Sequence, residues 1–309
     1  MDVKEREITD RINIISRYYD IEDMLAGKKD QEAVSKYYRK SDFFYNHIHS
    51  RGGGNNHLGL SDDGLYHRED FMKQAQVVGS LLKGEGMKIL EVGAGQLPNT
   101  KYLAKHFPQH HFTAMDLPNR NFLKRKVPKN VTLMEGSFDD LSFLPEESFD
   151  IVFGLETICY SGDKNRVYGE IARVLKPGGK FLSWDVYEPK PDEEMTEFER
   201  RASAICLAGM SLTRKDQCIC YRRKYLEDNG FEDIQIEDLT HKTIPTLRRL
   251  DRISCYYFMH PGMIKRLSKW ISQEVTRNSI SGWLLLYTFD GTDIHQYNQI
   301  IATKGKVKK

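Results

Sequence analysis

A turn with two glycines, placed where a predicted strand gives way to a predicted helix, constrains this chain more than any other feature. Glu91 and Val92 end the strand, and Gly93-Ala94-Gly95 follow directly. Glycine at such a turn lets the backbone approach a bound molecule more closely than any side chain would allow. A Gly-x-Gly pair alone is equally compatible with a tight turn that binds nothing, so its interpretation depends on the surrounding chain.

The segment after Met87 alternates short apolar runs with helical patterns, which is typical of parallel βαβ units in a doubly wound α/β sheet. Residues 164–175 are predicted to be a helix that stops at Lys176-Pro177-Gly178-Gly179, since proline and paired glycines end a helix. The predicted strands cover residues 88–92, 111–115, 131–135, 149–153, 179–186, 231–239 and 294–303, and further helices are predicted at 99–106 and 221–229.

Composition limits the partners and the compartment. The 46 basic and 44 acidic residues give a net charge of +2, so no overall field favours nucleic acid. The five cysteines lack a CxxC pair, which indicates neither a metal site nor a disulfide framework. No signal-peptide or membrane-spanning stretch is evident. We therefore expect a cytoplasmic protein, with a peripheral membrane contact and a homodimer left open.

A second acidic residue indicates what kind of molecule the glycine turn could bind. Asp116 ends the next predicted strand, roughly 20 residues beyond Gly95, where a carboxylate can accept both hydroxyls of a ribose. A dinucleotide site would use a third glycine for the pyrophosphate, but Leu97 and Pro98 stand there instead. S-adenosylmethionine has no phosphate, so it fits this turn better than NAD does.

The order of motifs over about residues 75–240 resembles the class I S-adenosylmethionine-dependent methyltransferases. The resemblance implies a seven-stranded, Rossmann-like sheet and S-adenosylmethionine as cofactor. The motifs are Ile89-Leu90-Glu91-Val92-Gly93-Ala94-Gly95, Asp116, Glu135-Gly136-Ser137-Phe138, Ser148-Phe149-Asp150-Ile151-Val152 and Arg173-Val174-Leu175-Lys176-Pro177-Gly178-Gly179.

The resemblance also assigns cofactor-binding roles to individual residues. Gly93 and Gly95 would hold the methionine part, Asp116 the ribose, and Ser137 and Phe138 the adenine. In that family the position of Ser137 often carries an acid that contacts the adenine amine, and Asp139 is the candidate substitute. The predicted site is completed by Glu91, Ala94, Leu117 and Leu155.

Three regions follow from this assignment. Residues 1–82, with helical patterns around a glycine-rich loop, are predicted to form a helical lid that binds the acceptor. Residues 83–190 are the predicted cofactor-binding core, and residues 191–309 add helical insertions and the last strands of the sheet. The length suits a single α/β core with such additions.

The stretch after the fourth predicted strand resembles a narrower group, the sterol C-methyltransferases and their isoprenoid- and lipid-methylating relatives. Those enzymes carry Glu-Ala-Thr-Cys-His where this chain has Glu156-Thr157-Ile158-Cys159-Tyr160. A carboxylate and an aromatic face suit a carbon acceptor, whose transition state builds positive charge, and a histidine suits a hydroxyl acceptor, which needs a general base. The catalytic candidates are Glu156, Tyr160 and His57.

Aromatic residues are the candidates for acceptor binding, although such residues at helical spacing are more often part of the core. The candidates are Tyr37, Tyr45, Tyr66 and Trp184.

We therefore expect an enzyme that methylates a carbon or hydroxyl of a hydrophobic small molecule in lipid or natural-product biosynthesis, such as an isoprenoid, a sterol-like molecule or a polyketide. S-adenosylhomocysteine would be the second product. The alternatives are a methyltransferase for protein or nucleic acid, and a non-catalytic module that binds S-adenosylmethionine.

Overall fold

Seven strands form one sheet at the centre of the molecule. They are β1 (Lys88–Val92), β2 (His111–Asp116), β3 (Val131–Glu135), β4 (Phe149–Leu155), β5 (Leu175–Tyr187), β6 (Phe231–Asp238) and β7 (Gln296–Lys304). Their order is β3-β2-β1-β4-β5-β7-β6, and only β7 is antiparallel to its neighbours. This computed structural model describes residues 3–27, 54–118, 122–267 and 276–306. The prediction of a doubly wound, seven-stranded α/β sheet is confirmed.

Helices cover both faces of the sheet, which is why the central strands are apolar along most of their length. A short 3-10 helix (Arg68–Met72) precedes the third α-helix. The α-helices are α1 (Val3–Ile15), α2 (Ile21–Ala26), α3 (Lys73–Ser80), α4 (Pro98–His106), α5 (Lys164–Val174), α6 (Glu197–Gly209), α7 (Arg222–Asp228), α8 (Thr240–Phe258), α9 (Pro261–Leu267) and α10 (Asn278–Phe289).

The chain reverses its direction of travel across the sheet between β1 and β4. After β1 it builds outward through β2 and β3, and it then returns to place β4 on the other side of β1. Open α/β sheets bind ligands in the crevice at the carboxyl ends of the strands at such a switch point. The turn after β1 therefore lies where a ligand site is expected.

The proline-glycine stretch after α5 differs from its prediction. β5 begins at Leu175, before the stretch, whereas a start at Gly179 was expected. The pairing shows why: Phe149 pairs with Leu175, but Ile151 already pairs with Lys180. The intervening residues bulge out of the ladder, so proline and glycine interrupt β5 instead of preceding it.

The C-terminal region holds the second difference. The sequence predicted helical insertions there but did not place α10, an apolar helix that is mostly buried. Because α10 is apolar nearly all round, it lacks the periodic pattern that predicts a surface helix. Trp283 of α10 stacks on Phe258 of α8, with ring centroids 4.7 Å apart, and Ile8 of α1 joins the same core cluster.

The cysteine prediction was wrong for one pair. Cys218 and Cys220 are joined by a disulfide in the structure, although no disulfide was expected from the sequence. Cys159, Cys206 and Cys255 are free thiols. A Cys-x-Cys spacing gives little sequence signal, since whether the two sulfurs meet depends on the local turn.

Within the described ranges, no helix is both long enough and apolar enough to cross a membrane.

Arg11 joins the N-terminal helix to the C-terminal helices. The side chain of Arg11 donates hydrogen bonds to Asp251 Oδ1 at 2.7 Å, to the Trp283 carbonyl at 3.0 Å and to the Tyr287 hydroxyl at 2.6 Å. It also pairs with Glu7 on its own helix at 3.0 Å. A charge that is 8% exposed requires such partners, so these bonds fix α1 against α8 and α10.

We expect Arg11→Met to lower the free energy of unfolding by about 3 kcal/mol, because it leaves the carboxylate of Asp251 in a half-buried position without its counter-charge. Urea unfolding followed by circular dichroism measures the change. Arg6→Met, on the exposed face of the same helix, is the matched control. Equal stability of the two variants would contradict the role assigned to Arg11.

Candidate functional site

A cleft opens at the carboxyl edge of the sheet, between the ends of β1 and β4. Every residue that sequence analysis proposed for the cofactor lines this cleft: Glu91, Gly93, Ala94, Gly95, Asp116, Leu117, Ser137, Phe138, Asp139 and Leu155. Because parallel strands end at the same edge, turns that are distant in sequence meet here.

The two glycines of the turn after β1 are required for different reasons. Gly93 has φ +65° and faces Thr157, whose side chain would overlap a Cβ at that position. Gly95 has φ +52°, and a Cβ there would meet no atom within 4 Å. Both positions favour glycine because of the left-handed backbone. Gly93 also lets the turn pack on Thr157, while Gly95 faces open space in the cleft.

Asp116 holds the far side of the turn. Its carboxylate accepts hydrogen bonds from Gly95 N at 2.5 Å and from Leu117 N at 2.7 Å. These bonds join the end of β2 to the turn after β1 and orient the carboxylate beside the cleft. A carboxylate in this position can accept from vicinal hydroxyl groups of a ligand.

Glu91, at the end of β1, fixes the start of the helix that follows the turn. The buried carboxylate accepts hydrogen bonds from Asn99 Nδ2 at 3.3 Å, from Thr100 N at 3.0 Å and from the Thr100 hydroxyl. It therefore caps the N-terminus of α4, where a negative charge is favoured. Burial raises the pKa of Glu91 to about 7 despite these bonds, and the nearby Asp116 raises it further.

The turn after β3 forms the third wall of the cleft. Asp139 accepts a hydrogen bond from the Ser161 hydroxyl at 2.5 Å, and its backbone N–H donates to Ser137 Oγ at 3.2 Å. The carboxylate that was proposed to substitute for an acid at position 137 thus lines the cleft together with Ser137 and Phe138.

A second cavity shares one wall with the cleft. Asn56, His57, Glu156 and Tyr160 line both spaces. The rest of the second cavity is lined mainly by apolar residues from the end of β5, from α8 and α10, and from the segments around Leu58 and Met210: Leu58, Val186, Met210, Leu212, Leu250, Ile253 and Leu285. Its polar lining residues are Ser254, Asn278, Ser279 and Ser281. The structure thus brings the three catalytic candidates together at the junction between the cleft and the second cavity.

Glu156 fixes the segment that covers this junction. It has φ +47°, and its Oε1 accepts a hydrogen bond from Leu58 N at 2.6 Å. The Leu58 carbonyl in turn accepts from Gln74 Nε2 at 2.7 Å. Burial raises the pKa of Glu156 to about 8, and the neighbouring Asp185 adds to the rise. Glu156 therefore lines both cavities and also holds the covering segment in place.

His57 and Tyr160 are each oriented by one backbone carbonyl. His57 Nε2 lies 2.8 Å from the Phe71 carbonyl, which can only accept, so Nε2 carries a proton, and in the neutral tautomer of this ring the lone pair is on Nδ1. The Tyr160 hydroxyl donates to the Met210 carbonyl at 3.0 Å. Both rings therefore have fixed positions at the junction.

The candidates for acceptor binding do not line either cavity where the structure describes them. Trp184 is fully buried in the sheet, and its indole N–H donates to Gln299 Oε1 at 3.0 Å. Tyr66 packs edge-on against Phe71 and lies under the guanidinium of Arg249. Tyr37 and Tyr45 fall outside the described residues. The aromatic character of Trp184 and Tyr66 thus serves packing, the alternative that the sequence left open.

Sequence analysis missed several residues of the site. Asn56 precedes the candidate His57 in the glycine-rich loop, so its place in the sequence could have marked it as a candidate. Asn99 and Arg125 also line the cleft, and Arg125 donates to the Gly95 carbonyl at 2.7 Å. No local pattern marks Arg125, because its contact with the glycine turn arises only from the fold.

A buried acid lies beneath the junction. Among the residues that the structure describes, neither carboxylate oxygen of Asp185, on β5, has a hydrogen-bond partner of normal geometry. Cys159 and Lys164 favour the charged form of Asp185, but burial outweighs them and raises its pKa to about 7. In the part of the chain that the structure describes, no group of three or more His, Cys, Asp or Glu side chains could hold a metal.

Comparison with known proteins agrees with this geometry. Residues 90–183 match the family described as a methyltransferase domain. An S-adenosyl-L-methionine-dependent Diels-Alderase of Talaromyces variabilis is 26% identical over 238 residues, 71% of this chain and 79% of that protein. A sterol 24-C-methyltransferase of Neurospora crassa is 35% identical over 168 residues, 52% of this chain but only 43% of that enzyme. The crystal structure of the 4+2 cyclase SpnF has a TM-score of 0.69 at 16% identity, covering 90% of this chain and 97% of that one.

These matches and the strand order identify the class I S-adenosylmethionine-dependent fold, with S-adenosylmethionine as the cofactor. The cleft fits that molecule. Asp116 suits the ribose, and Gly95 leaves open space for close approach. Asn99 Oδ1 is buried in the lining without a hydrogen bond from any described residue, so it is a suitable acceptor for the cofactor's ammonium group.

We expect Gly93→Ala to lower the free energy of unfolding by about 3 kcal/mol, because it adds an overlap with Thr157 to the strain of a left-handed backbone. Urea unfolding measures the change, and calorimetry with S-adenosylhomocysteine reports the loss of binding. Gly84→Ala has a similar φ of +62° but open surroundings, so it should lose only about 1 kcal/mol. Equal losses would argue against the packing role of Gly93.

We expect Asp116→Ala to weaken the binding of S-adenosylhomocysteine by roughly 30-fold, because charged hydrogen bonds typically contribute about 2 kcal/mol. Calorimetry measures the affinity. Asp140→Ala, at an exposed carboxylate, should bind as the parent does. If Asp116→Ala also binds as the parent does, the assignment of this carboxylate to the cofactor is wrong.

Asp185 predicts a pH dependence of stability. The unfolded chain ionises this acid near its ordinary pKa of 3.8, but the folded chain keeps it protonated until about pH 7. Its contribution to stability is therefore complete below pH 3.8 and is lost as the pH rises to about 7. Asp185→Asn should flatten this part of the profile in urea unfolding between pH 4 and pH 8, whereas the exposed Asp228→Asn should not. Parallel profiles for Asp185→Asn and the parent would refute this.

Proposed function

We propose that this chain, a class I S-adenosylmethionine-dependent methyltransferase, transfers a methyl group to a carbon or a hydroxyl of a hydrophobic small molecule and releases S-adenosylhomocysteine. One observation carries the proposal: the cofactor cleft shares a wall with a second cavity whose lining is mainly apolar. Isoprenoid, sterol-like and polyketide molecules are acceptors of matching character. Enclosed apolar cavities of this kind are typical of small-molecule sites.

Positioning would provide most of the catalysis. The bound cofactor supplies an electrophilic methyl group on sulfur. Residues of the segment 54–58, which Glu156 and Gln74 hold in place, line the junction and would exclude water from it, which favours an in-line displacement. We assign residues 1–82 the role of lid on this basis.

The side chains at the junction suit either kind of acceptor. For a hydroxyl acceptor, His57 would take the proton, since its neutral ring carries the lone pair on Nδ1. For a carbon acceptor, the ring of Tyr160 would stabilise the positive charge that develops on carbon, and Glu156 would add to this in its ionised form.

Cyclisation is a second candidate activity. The Diels-Alderase among the relatives is described as S-adenosylmethionine-dependent, and a cavity of fixed shape can promote an intramolecular ring closure by holding one conformation. Such a reaction needs no base, and both Glu156 and Tyr160 already bond to backbone groups. The second cavity would serve this reaction equally well, but no methyl group would leave the cofactor.

The test uses S-adenosylmethionine with a labelled methyl group and separate lipid, RNA and protein extracts. We expect the label in organic-soluble products, together with S-adenosylhomocysteine. Label confined to RNA or protein would overturn the proposal. A product isomeric with its substrate, formed without S-adenosylhomocysteine, would establish cyclisation instead.

A matched pair of variants tests the site of acceptor binding. Leu250→Trp would fill the second cavity from α8, and we expect at least a tenfold loss of methyl transfer with unchanged binding of S-adenosylhomocysteine. Tyr256→Trp, exposed on the same helix, is the control. Unchanged methyl transfer in Leu250→Trp would place the acceptor elsewhere.

A further inference from the structure

Asn56 carries an unsatisfied polar atom at the junction of the two cavities. It lines both the cofactor cleft and the apolar cavity. Its Oδ1 is buried and accepts no hydrogen bond from any residue that the structure describes. Buried amide oxygens are nearly always paired in proteins, so an exception inside a binding cavity points to a ligand that completes it.

The neighbours of Asn56 fix its position. His57 Nε2 bonds to the Phe71 carbonyl at 2.8 Å. Leu58 is held at both of its backbone polar groups, by Glu156 at 2.6 Å and by Gln74 at 2.7 Å. These anchors directly follow Asn56 in the chain, so they hold the backbone that carries its amide at the junction.

The surroundings limit what can pair with this oxygen. An amide oxygen accepts only, so the ligand group must be an O–H or N–H donor. Apolar side chains such as Leu58 and Leu285 line the cavity beyond it, and a charged ammonium there would be poorly solvated. Burial also raises the pKa of Glu156. At neutral pH its carboxyl group therefore does not carry the full negative charge that an ammonium group would need as its partner. A neutral donor fits this position, and a hydroxyl group is the simplest one on a hydrophobic molecule.

We propose that Asn56 determines acceptor specificity by accepting a hydrogen bond from a neutral hydroxyl group on an otherwise hydrophobic acceptor. The inference rests on the proposed function, since it assumes that the second cavity holds the acceptor. It narrows the acceptors to hydrophobic alcohols. Their hydroxyl group would either be methylated itself or would orient a nearby carbon for methylation.

Two isomeric probes test the inference: 1-decanol, which can donate a hydrogen bond, and 1-methoxynonane, which has the same atoms but cannot. Their affinities are measured by calorimetry with the full chain saturated with S-adenosylhomocysteine. We expect the alcohol to bind about tenfold more tightly than the ether.

Variants assign that preference to Asn56. Asn56→Leu, of similar size but without polar atoms, should bind both probes alike, and Asn56→Asp, which keeps an acceptor oxygen, should retain the preference. Asn13→Leu, at an exposed site, is the control. Asn13→Leu should bind S-adenosylhomocysteine as the parent does, and far-UV circular dichroism shows whether all three variants are folded.

The outcomes separate the two proposals. If the parent binds alcohol and ether equally, the role of Asn56 is wrong while the apolar acceptor cavity stands. If Asn56→Leu loses affinity for S-adenosylhomocysteine and keeps the alcohol preference, Asn56 serves the cofactor and the inference is also wrong. If neither probe binds the parent, the proposed function fails and the inference fails with it.

Discussion

The buried carboxylate of Glu91 holds the site together, because it joins the end of β1 to the start of α4. Through its bonds to Asn99 and Thr100 it fixes where the helix begins, and so it determines the length and path of the glycine turn between them. Asp116 then holds the turn from the neighbouring strand. The cofactor cleft is therefore a fixed feature of the sheet edge, with two acids holding a turn whose left-handed backbone favours glycine.

The acceptor side is built on a different principle. Its floor is the end of β4, but its cover is a loop from the N-terminal region, and its far walls are α8 and α10. Glu156 connects these parts, since it extends β4 into the junction and binds the backbone of the covering loop. One residue thus lines both cavities and holds the loop that adjoins them, although its burial raises its pKa.

Several sequence predictions succeeded because they depend on local chemistry. The strands at 88–92 and 131–135 have the predicted bounds, because short apolar runs between turns are a direct indication of buried strands. Others failed where tertiary packing decides. Trp184 looked like a pocket residue but lies inside the sheet, and α10 has no periodic polar face to reveal it. The sequence predicts that β5 starts after the proline and glycines at 177–179, whereas the strand begins at Leu175 and continues through a bulge.

The sequence by itself determined the cofactor side, because its turns follow directly on strands and parallel strands gather their ends at one edge. Each of the residues proposed for the cofactor lies in the cleft for that reason. Only the tertiary structure decided the acceptor side. Leu58, Leu250 and Leu285 meet there from distant parts of the chain, and no local pattern states which apolar residues face a cavity instead of the core. The same holds for Asn56, whose unpaired oxygen becomes significant only once its surroundings are known.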